Sequence, residues 1–242
     1  MTIQAYHRPE TVAEAIRLIN QTGDIAILAG GTSLVAATDA SEVVDLQSLP
    51  LADIEIGAGS ATIGAMVRLQ GLVSAENLPP FIRETAQREE INTFRNAGTL
   101  GGLVARADNE SELYATLLAF GAMLHYKDKN GAQSMALADY QPGTISGGII
   151  TAVTIQTDGE AASERVARTP ADKPIVAIIG RKSGDTLTLT ACGVAPTPIL
   201  IQSDQLDALT PPADFRGSTA YRRQMASILS QRVQNTLNAN TD

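Results

Sequence analysis

Tryptophan is absent from these 242 residues and aromatic residues make up only 4%, which leaves little from which to build a stacking platform for single-stranded nucleic acid. Basic residues are the minority, 18 against 26 acidic, and the resulting formal charge of −8 repels phosphate polymers and anionic membrane surfaces alike. No nucleic-acid partner is expected. With one cysteine, Cys192, the chain can form no internal disulfide and cannot by itself hold zinc or an iron–sulfur cluster. The two histidines, His7 and His125, are far apart with no ligand-spaced neighbour, so no metal site is expected. No apolar run approaches the roughly 18 residues that span a bilayer, and the start MTIQAYHRPE has no basic region followed by an apolar one. These absences point to a cytoplasmic protein without membrane insertion.

What is present is ordinary for a globular chain, with 44% hydrophobic and 18% charged residues. Thr11-Val-Ala-Glu14 has capping-box spacing, and Val12, Ala15, Ile16 and Ile19 recur at helical spacing until Gly23. The run Ile25–Leu28 is strand-like and breaks into Ala29-Gly-Gly-Thr-Ser33. Residues 54–57 and 61–65 predict a hairpin around Gly59-Ser60, and 124–126 with 135–137 predict a second around Lys127–Gly131. Helical patterns cover 79–90 and Glu110–Met123. Strands are expected at 149–155, 175–180 and 186–191, followed by a long helix from Ser218 with Tyr221, Met225, Ile228, Leu229 and Val233 as its buried stripe. Strands and helices without regular alternation predict an α+β fold. The compositional shift near Gln141-Pro-Gly-Thr places a boundary there, giving domains at 1–142 (subdomains about 1–52 and 53–142) and 143–242.

Two glycine-rich turns, Gly30-Gly31-Thr32-Ser33 and Gly98-Thr99-Leu100-Gly101-Gly102, either are tight turns or bring backbone N–H groups and hydroxyls against an anion such as a diphosphate. Neither fits G-x-G-x-x-G, and no P-loop lysine follows. Arg95 either pairs with phosphate or caps a helix. Asp108, Glu110 and Glu112 open a helix, where the dipole favours them, and one of them could accept from ribose hydroxyls. Cys192 reads as a small buried strand residue. No Ser-His-Asp set or acid–base pair is evident, so no catalytic side chain is assigned and any chemistry would come from a bound cofactor.

Ala29-Gly-Gly-Thr-Ser-Leu34, Ile63-Gly-Ala-Met66 and Arg95-Asn-Ala-Gly-Thr-Leu-Gly-Gly102 with Ala107-Asp108, taken in order and spacing, resemble the FAD-binding medium subunit of molybdenum hydroxylases. This is the flavoprotein component of the xanthine dehydrogenase and carbon monoxide dehydrogenase family. Gly148–Ile155, Arg168–Asp172, Gly193–Pro198 and Asp214–Arg222 resemble the same family's C-terminal domain. The resemblance implies a PCMH-type FAD-binding region of two α+β subdomains and a small C-terminal domain with an antiparallel sheet and helices. It implies FAD as cofactor, with Ala29, Gly30, Gly31, Thr32, Ser33 and Leu34 and then Thr99, Leu100, Gly101 and Gly102 at the diphosphate. Asp108 joins the site, and Glu112 falls where the family holds the adenosine ribose. The family's usual Asn after Gly-Gly is Leu103 here, its Asp is Glu112, and its Pro after Asp108 is Asn109.

The implied role is an oxidoreductase subunit that passes electrons from a two-iron, two-sulfur subunit, served by a molybdopterin subunit, to an external acceptor. A scaffold subunit that keeps the fold with weakened flavin binding is the alternative. A stand-alone flavin oxidoreductase is a third reading.

Overall fold

The computed structural model describes residues 3–21, 24–33, 40–202 and 205–239. Its architecture is α+β, built on three sheets. The first is parallel and short: β1 (Ala5–His7), β3 (Glu42–Asp45) and β2 (Ile25–Leu28) lie side by side in that order. The helix α1 (Val12–Ile19) covers it, packing Ala15 and Ile16 onto Val44, Leu46 and Leu49. The Thr11 hydroxyl oxygen accepts from the Glu14 N–H at 3.2 Å, but the Glu14 carboxylate accepts from the Glu10 N–H, so only half of the capping box forms. Gly23, the expected stop, lies outside the described residues.

The second sheet is antiparallel, in the order β4 (Ile54–Ile56), β5 (Ser60–Gly64), β8 (Ile149–Gln156), β6 (Met123–Asp128), β7 (Gly131–Ala136). Both expected hairpins form in it. A chain division at 142/143 would separate β8 from the two strands it bonds on either side. The segment 141–144 is a surface turn, closed by the Thr144 N–H to the Gln141 carbonyl at 2.9 Å. Polar, glycine-containing composition marks such a turn whether or not a domain ends there. Helices α2 (Leu69–Ser74), α3 (Pro80–Glu89), α5 (Leu100–Arg106) and α6 (Glu112–Ala119) share a core with this sheet, and α4 (Asn92–Ala97) lies against α2. All eight residues of α6 are buried.

The third sheet, in the order β12 (Ile199–Ile201), β11 (Thr186–Cys192), β10 (Val176–Ser183), β9 (Glu160–Val166), is also antiparallel. Strand β10 is apolar on both faces because both are covered. Ala177 and Ile179 join the core around α6, while Val176 and Ile178 face the C-terminal helix α7 (Thr219–Ala239). Gly180 lets α7 approach, since a Cβ there would lie 2.5 Å from Val233 and 2.8 Å from Leu237. The buried face of α7 is rotated from the expected stripe. Arg222, Ala226, Leu229, Val233 and Leu237 are inside, whereas Ile228 is 37% exposed. Arg222, 1% exposed, explains the rotation: its guanidinium donates to the carbonyls of Ile175 (2.6 Å) and Gly193 (3.0 Å) and pairs with Asp214 at 2.8 Å. An apolar count cannot place a buried arginine on the inner face.

Arg222→Met keeps the volume but leaves two buried carbonyls without a donor. It is expected to destabilise the fold by about 2–4 kcal/mol, read as a lower urea midpoint at unchanged m-value.

Candidate functional site

Where β2 leaves the first sheet, the chain turns through Gly30-Gly31-Thr32-Ser33 and faces a groove of about 580 Å³, within the roughly 300–1,000 Å³ range of small-molecule sites. Gly31 sits at φ +72°, in the left-handed region that favours glycine. Gly30 passes so near α4 that a Cβ would lie 2.3 Å from the Ala97 carbonyl oxygen. Among the described residues, nothing accepts from the N–H groups of Gly30, Gly31, Thr32 or Ser33. Clustered backbone donors without an acceptor among the described residues suit an anion. Ile27, Leu69, Phe94 and Leu103 give the groove apolar walls, and Glu90 and Arg106 are its charged side chains. Leu34 lies outside the described residues.

The second glycine segment, which Gly30 meets at Ala97 and Gly98, also lines this groove but is built differently. Thr99 is the N-cap of α5, its hydroxyl oxygen accepting from the Gly102 N–H at 3.1 Å. The Leu100 and Gly101 N–H groups donate to the carbonyls of Val67 (2.9 Å) and Ala65 (2.8 Å). Leu100 and Gly101 are buried, and only Thr99 and Gly102 of the four line the groove. Gly101 is a glycine for packing, since a Cβ would sit 2.9 Å from that of Ala65. Residues 65–67 and the Thr99 hydroxyl thus take the N–H groups of Leu100, Gly101 and Gly102, while Thr99 and Gly102, of the four residues that the resemblance puts at a diphosphate, line the groove. The segment also aims α5, whose last residue, Arg106, reaches Ser33 Oγ at 3.4 Å. Ala107, in the left-handed conformation at φ 44°, ends that helix.

The acidic cluster is tied to cations from the C-terminal part of the chain. Glu112, 3% exposed, is held by Arg165 of β9 at 2.9 Å and by Arg88 at 3.5 Å. Asp108 accepts from Lys173 at 2.8 Å, which holds its carboxyl below the usual range against the opposing effect of burial. Glu110 is paired bidentately with Arg216. Each acid takes a different cation from the C-terminal part of the chain, and neither Asp108 nor Glu112 lines the groove. Alternating acids before a helix are compatible with a dipole or a ligand role, so partners more than 50 residues away were invisible in the sequence.

Of the other candidates, Arg95 takes the capping role. It donates to the Glu90 carbonyl (2.6 Å), the Gln87 carbonyl (2.9 Å) and the Gln70 side chain (3.0 Å), so its donors serve the end of α3. His7 lies 3.0 Å from Glu42, and His125 lies 2.8 Å from Thr154 Oγ1. Cys192 is fully buried, and burial pushes its thiol pKa well up, the opposite of a reactive thiolate. The groove residues missed from sequence are Arg106, Glu90 and Phe94. Phe94 and Arg106 lie on α4 and α5, short helices, not expected from the sequence, in and just after the glycine-rich stretch, and Glu90 caps the end of α3.

Residues 1–156 match the family described as the FAD binding domain in molybdopterin dehydrogenase. The chain is 29% identical over 271 residues to the carbon monoxide dehydrogenase medium chain of Afipia carboxidovorans, covering 94% of each. It is 28% identical over 246 residues to the protein YgfM of Escherichia coli K12, covering 94% of this chain and 93% of that one. A crystal structure of Cu,Mo-CO dehydrogenase in its cyanide-inactivated form superposes with a TM-score of 0.84 at 27% identity, covering 99% of both chains. No helix among the described residues is long and apolar enough to cross a membrane.

One buried acid at the rim of this region carries a pH prediction. Glu89, at the end of α3, accepts from the Leu113 N–H at 3.1 Å with one oxygen, while the other has no partner. Burial pushes its pKa up to about 7, against the opposing pull of Lys173. A carboxyl raised in the folded state stabilises the protein below its unfolded pKa, and that stability is lost as pH rises through the folded value. Unfolding free energy is therefore expected to fall by roughly 3 kcal/mol from this group between about pH 4.5 and 7. Glu89→Gln should remove that slope in urea titrations at pH 5.5 and 8.5.

Proposed function

Because the chain belongs to the family of FAD binding domains in molybdopterin dehydrogenases, we propose that it binds one FAD in the groove and serves as the electron-relaying subunit of a molybdenum hydroxylase complex. The observation that carries this reading is the row of N–H groups from Gly30 to Ser33 that have no acceptor among the described residues, in a turn that lines a groove with apolar walls. The diphosphate would lie on those donors. Thr32 and Ser33, both exposed, add hydroxyls, while Ile27, Leu69, Phe94 and Leu103 offer apolar surface to a planar ring. Thr99 and Gly102 also line the groove, and Ala29 leads into the turn. Binding is noncovalent, since neither turn contains a His or Cys.

When bound, the flavin supplies the redox chemistry that these side chains lack. The chain's contribution is to bind, orient and shield it. A single buried thiol provides no ligand set for a cluster, so electrons must come from another chain. An iron–sulfur subunit and a molybdopterin subunit are the proposed partners, and an external acceptor takes the electrons onward.

Purified chain mixed with FAD and passed over gel filtration is expected to elute with flavin absorbance. Gly31→Val, which forces a β-branched residue into positive φ, should lose that absorbance with little change in circular dichroism. Failure of the assembled complex to retain flavin would instead favour a scaffold that keeps the fold.

Affinity purification after co-expression with neighbouring genes is expected to recover iron–sulfur and molybdopterin subunits. A chain that purifies alone, retains FAD and turns over a substrate would be a stand-alone oxidoreductase.

A further inference from the structure

Arg106 is the cationic side chain of the groove wall, and it is shared among three oxygens with no ideal bond to any. It lies 3.3 Å from Glu90, 3.8 Å from Asp108 and 3.4 Å from Ser33 Oγ, with its side chain 35% exposed. Lys173, contributed by the C-terminal part of the chain, lies 2.8 Å from Asp108 and 3.6 Å from Glu90. The four groups balance in charge, two acids against two bases. Glu90, an acid on the groove wall, repels an anionic ligand, and Lys173, shared with Asp108, offsets part of that charge when Arg106 turns to the ligand. In the second glycine segment the Leu100 and Gly101 amides are already bonded to residues 65–67. Arg106, at the end of the helix that this segment opens, adds a charged donor to the groove.

We propose that Arg106 holds the ligand's diphosphate together with the Gly30–Ser33 turn, exchanging Glu90 and Asp108 for phosphate while Lys173 stays on both carboxylates and offsets part of their charge. This rests on the reading of the groove as a FAD site. The guanidinium is suited to the exchange because a charged, multidentate bond to phosphate replaces contacts of 3.3 and 3.8 Å. Ser33 Oγ is already within reach of it, so the turn carrying the free amides and the helix carrying the cation meet on the same anion. Glu90 then acts against binding, both by its charge and by competing for Arg106.

The test is titration of flavin fluorescence with the full chain, using FAD, riboflavin (which lacks phosphate) and ADP as competitor, for wild type, R106Q, R106K and E90Q. R106Q is expected to weaken FAD and ADP by about tenfold or more and to leave riboflavin within about twofold, with R106K between. E90Q should tighten FAD by about two- to fivefold and reduce the benefit of Arg106. Thermal melts establish that each variant is folded; Arg106 is partly exposed, and a folded R106Q is expected. If wild type binds FAD and R106Q binds it equally well, or loses riboflavin in the same proportion, the role of Arg106 is overturned while the FAD reading stands. If wild type binds neither flavin nor ADP, the FAD reading falls and this inference with it.

Discussion

Burying α6 from end to end is the constraint on which the remaining structure depends. The helix lies between the second sheet's core and the C-terminal sheet, with all eight residues inside. Its N-terminal N–H groups must be met without water. Ser111 accepts from Tyr114 and Glu89 from Leu113, while Thr190 of β11 donates to the Ala115 carbonyl at 2.8 Å. The acids that suit a helix N-terminus bring their own desolvation cost, and the C-terminal part answers with Arg165, Lys173 and Arg216. Three ion pairs thus join the C-terminal part to the rest of the chain at the point where α6 begins.

That joint also sets the groove. Lys173 touches Glu90 as well as Asp108, and Arg106 touches both. The charge on the groove wall therefore depends on a residue in the segment between β9 and β10. A disturbance of the C-terminal sheet would be felt at the groove through Lys173, although the groove's lining comes wholly from the first 106 residues.

The two glycine turns look alike in sequence and do different work. Gly30-Gly31 leaves its amides free because β2 has just ended and nothing pairs with the turn among the described residues. In the other, Gly98 donates to the Phe94 carbonyl, Leu100 and Gly101 to residues 65–67 and Gly102 to the Thr99 hydroxyl, and its glycines permit close packing against Ala65, Leu69 and Phe94. Glycine content signals permissive geometry; it does not say whether the permission is used for a ligand or for a neighbour.

The parts determined by sequence alone are those governed by local rules. The hairpins at 54–64 and 123–136 follow from alternation and turn residues, α1 from its cap and stripe, and Cys192 as a buried strand residue from its apolar context. The ordered motifs, read as a resemblance, carried the family and the α+β fold. What only tertiary structure decided are the long-range partners: β8 entering the middle of the second sheet, Arg222 turning α7, Glu112 locked by Arg88 and Arg165, and Arg106 brought beside Ser33 from 73 residues away. Each depends on which charges and strand edges are desolvated together. That is a property of the packed chain, and local spacing does not encode it.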